Sequence, residues 1–200
     1  MKEQILRKTA ELFLSLGVKS VTMDDIASSL GISKKTLYTH FPRKAELVKA
    51  TAFHVFDQIS AGVSEIKLQQ QDPIDELYAI KDFVLAQLNN QKTSPQYQLK
   101  KYYPKISAML RKKQLELMQD LIEKNLNRGI MAGLYRRELD IDFISRIYFI
   151  GIIGIKDRDL FSEDRYAIDE LMEKHLEYHF RAIITPQGLK SLQKRLKATP

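Results

Sequence analysis

Lys35, Thr36, Tyr38 and Thr39, in the stretch SKKTLYTHF, put a cation, two hydroxyls and a phenol within five residues. Groups of this kind donate hydrogen bonds to phosphate oxygens and to base edges, so the chemistry they suit is recognition of a DNA major groove. Groups suited to catalysis are sparse. His175 and His179 stand at i and i+4 in HLEYH, a spacing that can hold a metal, but the glutamate placement of a zinc hydrolase motif is missing and solvated or interface histidines are the plainer reading. His54 is isolated and reads as a packed side chain. There is no glycine-rich phosphate loop, no nucleophile elbow and no cysteine. No enzyme, metal or cofactor is expected.

The elements that would position these groups can be read from capping chemistry. Thr22 precedes Asp25 by three positions, the spacing of a reciprocal cap, and Asp24 and Asp25 suit the positive end of a helix starting at about Met23. Ile26, Ala27 and Leu30 give that helix one apolar face, and Gly31 ends it. Ser33 then caps a second short helix to about His40. Leu37 is its only large aliphatic residue and must dock it. At 100° per residue, Lys35 and Thr39 then point furthest outward, with Thr36 and Tyr38 on the flanks.

The run TMDDIASSLGISKKTLYTHFPRKAEL closely resembles the DNA-binding segment of TetR-family transcriptional regulators, including the Tyr-x-His-Phe close of the recognition helix and the lysine opening the next helix. The resemblance implies that Thr22, Tyr38, His40 and Lys44 touch phosphates while Lys34, Lys35, Thr36 and Thr39 face the bases. It also implies an all-α protein: a three-helix DNA-binding head over residues 1–46 and a larger helical body over 47–200 that binds a small effector and forms a homodimer. The implied partners are a double-stranded DNA operator, an effector of unknown class and a second copy of the chain.

Composition is consistent with this reading. Residues 1–50 hold nine Lys/Arg against five Asp/Glu, residues 186–200 hold four Lys/Arg and no acid, and the 135 between are net −1. Positive charge at the presumed DNA end fits a phosphate footprint. The absence of cysteine excludes disulfides and thiolate metal sites. MKEQILRKTAELFLSLG is an amphipathic helical pattern rather than a signal peptide, and Ile147–Ile155 is too short to span a bilayer. A cytoplasmic protein is expected.

Elsewhere the apolar period is helical. A first helix ends at Gly17. A long one runs from Arg43 or Lys44 to about Leu68, then helices from Ile74 to about Leu88, Ile106 to about Met131, Asp140 to about Lys156 and Glu163 to about Ile184, with a basic tail helix after Pro186 and Gly188. The segment NNQKTSP and Pro104 bracket a short aromatic stretch, Tyr97 to Tyr103. On the helices that enclose the pocket in similar proteins, Phe53, Phe56, Phe83, Tyr97, Tyr102, Tyr103, Met109 and Met118 are candidate effector-lining residues, although for any one of them plain core packing is the better reading. No acid stands out within an apolar stretch to favour a cationic effector.

The segment from Ile144 to Ile155 is apolar nearly all round, more than one intramolecular face needs, and a partner subunit would cover the excess. Ile144, Tyr148, Gly151, Ile152, Ile155, Leu171, His175 and Tyr178 are the candidate dimer residues. Gly151 and Gly154 suit close backbone approach, to a partner or to a neighbour within one subunit. Two other classes stay open: a helical adaptor for another protein, and a ligand-binding protein whose head is not used for DNA.

Overall fold

The computed structural model describes residues 1–88, 95–157, 159–162 and 164–198, and among them every regular element is a helix. In chain order these are α1 (Lys2–Leu16), α2 (Met23–Ser29), α3 (Lys34–His40), α4 (Lys44–Leu68), α5 (Pro73–Leu88), α6 (Pro95–Tyr102), α7 (Pro104–Met131), α8 (Ile141–Gly154), α9 (Ile168–Ile183) and α10 (Pro186–Ala198). An isolated antiparallel bridge between Tyr135 and Ile184 is the nearest approach to a strand among the described residues.

Four helices, α5, α6, α7 and α10, open on a proline. A first-turn residue has no intrahelical acceptor for its N–H, so proline's missing donor costs nothing there and its fixed φ is already helical. This explains one departure from the sequence reading. Pro104 closes α6 but also starts α7, two residues earlier than Ile106. The start expected for α9 at Glu163 lies outside the described residues, and the helix itself begins at Ile168 after an extended Ala167. The break expected at NNQKTSP lies largely outside them as well.

The helices form two compact units: Met1–Gly62 with Ala86–Gln114, and Val63–Leu85 with Leu115–Pro200. In the first, Ile5 and Phe13 of α1, Ile26 and Ala27 of α2, Leu37 of α3, and Leu47 and Val48 of α4 share one core with Val18, Val21, Met23, Phe41 and Leu99. The faces are those expected from helical spacing. Tyr103, Ile106 and Leu110 pack against the same cluster, so α6 and the start of α7 are joined to the head.

In the second unit, α5, α7, α8, α9 and α10 bury Ile74, Leu77, Ile122, Leu126, Phe149, Leu176, Ile183 and Leu192. Tyr78 stacks on Phe180 with ring centroids 5.8 Å apart, and Tyr135 lies 6.2 Å from the same ring. This interior also contains a carboxylate. Glu76, 2% exposed, meets Arg128 at 2.6 Å and accepts from Asn125 Nδ2 at 2.9 Å. Asn125 Nδ2 also donates to the Pro73 carbonyl at 2.8 Å, and Tyr135 Oη donates to Asn125 Oδ1 at 3.1 Å. Within this network Glu76, Asn125 and Tyr135 each have a partner, which is the condition for tolerating them there.

Candidate nucleic-acid interface

The start of α2 is fixed by a complete capping box. Thr22 Oγ1 accepts from the Asp25 N–H at 3.1 Å, while Asp25 Oδ2 accepts from the Thr22 N–H and hydroxyl, both at 2.8 Å. Those two bonds, backbone first, hold the Asp25 carboxyl below its ordinary value, with Lys44 adding a smaller push in the same direction. Gly31 turns the chain between α2 and α3. Its φ of +65° is the left-handed region, and open space surrounds the position of a Cβ, so backbone conformation alone calls for glycine there.

Ser33 Oγ accepts from the Thr36 N–H at 3.0 Å and starts α3. Leu37 is fully buried, which fixes the rotation of this seven-residue helix about its axis. Burial of one such side chain contributes about 1.5–3 kcal/mol. With Leu37 inward, Lys34, Lys35, Tyr38 and Thr39 are exposed and Thr36 and His40 half-buried. The Thr39 hydroxyl donates to the Lys35 carbonyl at 2.8 Å, leaving its oxygen to accept from outside the helix. The hydroxyls of Ser33 and Thr36 lie 2.8 Å apart.

Two lysines frame this surface differently. Lys44, half-buried at the start of α4, donates to the Lys19 carbonyl at 3.3 Å. Burial lowers its pKa and Asp25 opposes that shift, so the ammonium is anchored where it meets the cap of α2. Lys34 instead pairs with Asp24, a contact that raises its pKa. Both partners are more than half exposed, so the pair is weak and exchangeable, and a phosphate can displace the carboxylate.

All eight expected DNA residues, Thr22, Lys34, Lys35, Thr36, Tyr38, Thr39, His40 and Lys44, thus belong to the first unit, at the cap of α2, along α3 and at the start of α4. The arrangement offers ammonium and phenol donors to phosphates and base edges, with the Thr39 hydroxyl oxygen left as an acceptor. The family model described as "Bacterial regulatory proteins, tetR family" matches residues 5–51, the same stretch.

Residues 5–51 belong to the tetR family of bacterial regulatory proteins.

Similarity extends beyond the head. The HTH-type transcriptional repressor KstR2 of Mycobacterium tuberculosis is 26% identical over 157 residues, covering 72% of this chain and 73% of that protein. The icaADBC operon negative regulator IcaR of Staphylococcus aureus is 32% identical over 78 residues, 39% of this chain and 42% of its own. Among solved structures, a TetR-family regulator from Agrobacterium tumefaciens superposes with a TM-score of 0.72 at 18% identity, over 92% of this chain and 97% of its own. SmeT of Stenotrophomonas maltophilia does so with a TM-score of 0.69 at 18% identity, over 93% and 91%. These structures share the fold.

The other expected residues distribute less simply. Phe53, Phe56, Tyr97, Tyr102, Tyr103 and Met109 belong to the first unit, and Phe83 and Met118 to the second. Tyr97, Tyr102 and Met109 are exposed, while Tyr103 packs on the head core, where burial raises its phenol pKa. The Lys113 ammonium lies 5.7 Å from the Phe53 ring and 5.9 Å from that of Phe56. A cleft of about 640 Å³ in the second unit is lined instead by Lys67, Pro73, Glu76, Lys124, Asn127 and Arg128 among others, and by none of those eight. Glu76 was not singled out from the sequence. Its signal is its place on the turn of α5 shared with Pro73 and Ile80, at i−3 and i+4, both buried. Arg128 neutralises it, so the carboxylate is already committed within the protein.

The expected dimer residues all lie in the second unit. Tyr148, Ile152 and Leu171 are buried within that unit, Ile144, Gly151, Ile155 and His175 are half-buried, and Tyr178 is 73% exposed. Gly151 serves a close approach within the subunit, since a Cβ there would meet the His175 ring at 2.2 Å. His175 and His179 pack against Tyr148, with ring centroids 5.3 and 4.7 Å away. Burial holds both imidazoles below the ordinary histidine value, His179 down to about 3, with His175 adding to the effect. The outward stripe of α8 is apolar too. Phe143, Ile147 and Ile150, at i, i+4 and i+7, are 55%, 44% and 58% exposed. No described helix is long and apolar enough to cross a membrane.

Proposed function

We propose that this chain is a cytoplasmic homodimeric repressor that reads an inverted-repeat operator and is released from it by a small apolar or amphipathic effector. The observation that carries the reading is the rotation of α3. With Leu37 buried, Lys35 and Thr39 face away from the core; in this reading Lys34, Lys35, Thr36 and Thr39 meet base edges, while Thr22, Tyr38, His40 and Lys44 meet phosphates. Residues 1–46 would act as the DNA-binding part and 47–200 as the effector-binding and dimerising part. The names of the relatives, a repressor and a negative regulator, support repression.

A dimer follows from geometry on DNA, because two recognition helices about one turn apart, roughly 34 Å, read two half-sites. The exposed stripe Phe143, Ile147 and Ile150 with Tyr178 is the surface that a partner subunit would cover. Ile152 is spent on the subunit's own packing, so Ile150→Glu is the substitution that tests the interface. The unbroken α4, Lys44–Leu68, supports a role in transmitting effector binding to the head, and linkage requires operator DNA to oppose the effector by the same coupling energy. Phe53, Phe56, Tyr103 and Met109 in the first unit, and Phe83 and Met118 in the second, remain proposed effector contacts, while Tyr97 and Tyr102 are exposed on α6.

Selection of bound duplexes from a random pool at near-physiological salt tests the reading. Enrichment of an inverted repeat is the expected result. A folded, dimeric protein that enriches nothing, alone and with candidate effectors, would overturn it in favour of a protein-binding adaptor or a ligand-binding protein.

A further inference from the structure

The head is not the most basic part of the chain. From Phe83 to Leu115 there are seven Lys/Arg and no Asp or Glu. Part of this run is α6, and α6 is built into the head: Leu99 lies in the head core, and Gln98 Oε1 accepts from the Lys19 N–H at 3.0 Å. The first unit as a whole therefore carries sixteen Lys/Arg against six Asp/Glu, net +10, and the second is left at −3.

Lys101 of α6 converges with Lys19 on Tyr102. Lys19 Nζ lies 5.2 Å from the Tyr102 ring centroid and Lys101 Nζ 5.7 Å from the same centroid, so the two ammonium groups are no more than 10.9 Å apart. Lys101 is also 5.7 Å from the ring of Tyr97. Among the described residues, no carboxylate pairs with Lys19, Lys100 or Lys101. Aromatic rings orient the Lys19 and Lys101 ammonium groups without neutralising them. All three lysines are exposed. The patch is continuous with the proposed phosphate contacts, because Lys44 donates to the Lys19 carbonyl and Lys19 precedes the α2 cap, Thr22, by three residues.

We propose that Lys19 and Lys101, set by Tyr97 and Tyr102, form with the neighbouring Lys100 a second phosphate-binding surface that grips the DNA backbone flanking each half-site. It rests on the DNA-binding reading above and extends it, since the expected contacts on α2, α3 and α4 do not include α6. Its ligand is the phosphodiester backbone in any sequence, so it adds affinity and footprint length without adding base preference.

The test compares the full-length parent with K100Q/K101Q, both exposed positions, on a selected operator carried with about ten flanking base pairs on each side and on the same operator trimmed to its core. The parent should bind the flanked duplex more tightly than the trimmed one, by at least about tenfold. The variant should lose that difference, keep its base preference, and show a salt slope shallower by about 1.8 per subunit, or 3.6 for a dimer. Equal affinity and slope for parent and variant on the flanked duplex would overturn the second surface alone. An equal loss on both duplexes would overturn the flanking placement. Failure of the parent to bind any selected duplex would overturn this proposal together with the DNA-binding reading.

Discussion

Among the described residues the first unit buries no charged side chain in the interior led by Leu37, whereas the second draws Glu76 and His179 inside with Asn125 and Tyr135. A surface that must meet phosphate can leave its cations solvated and weakly paired, as Lys34 is with Asp24. An interior that takes in a carboxylate must supply every partner, as Arg128 and Asn125 do for Glu76. Substitutions should therefore separate the units: in the second they change stability, and at the surface of the first they change DNA binding.

The largest effect expected is from Glu76→Ala, which leaves Arg128 and Asn125 without their acceptor. Urea unfolding should show a loss of about 3–5 kcal/mol. Retention of parental stability would mean that the second unit absorbs a lost carboxylate, and the contrast would fail there.

Next comes pH. His179 has an ordinary value of 6.5 and is held at about 3 by burial, so its contribution to stability is complete above pH 6.5 and is lost as the pH falls, because the unfolded chain takes up the proton first. Between pH 7.5 and pH 5 this group alone should cost about 2 kcal/mol. His179→Gln should flatten that slope whatever it does to absolute stability. An unchanged slope would place the pH dependence on other groups.

Thr22→Ala removes half of the capping box and should cost about 1 kcal/mol in thermal or urea unfolding. It should also weaken DNA binding if Thr22 reaches a phosphate, so a stability loss with unaltered affinity would confine Thr22 to capping. The smallest effect is expected from Asp24→Asn, which frees Lys34 and removes a negative charge beside the proposed interface. Affinity for operator should tighten by about two- to fivefold at low salt, with the gain fading as salt is added. Weaker binding would show that the Lys34–Asp24 pair orients α3 rather than masking it.

The contrast also separates what was legible in the sequence from what was not. The head is specified by local chemistry: Thr22 with Asp25, Gly31, Ser33 and Leu37 fall within sixteen consecutive residues and each restricts the backbone independently. The fold class and the rotation of α3 could be read from them. The network around Glu76 could not, since Asn125 and Arg128 lie about fifty residues away on another helix and pair with Glu76 only after folding. On α8 the periodicity gave apolar residues on both faces, but which of Tyr148, Ile150 and Ile152 are spent inside the subunit depended on where α9 docks. The basic run from 83 to 115 was hidden by averaging, because acids on either side of it cancelled its charge over the longer interval.

A concentration of ten net positive charges in the first unit changes where the protein resides as well as what it recognises. Sequence-independent attraction to phosphate draws on every base pair of a chromosome, so an operator competes with millions of weaker sites for the same molecules. Most copies would then be parked on bulk DNA, and sliding along it becomes the route by which an operator is found. Occupancy of the operator is consequently set by a ratio of affinities, and a change in salt concentration that loosens both kinds of site moves it less than either affinity measured alone.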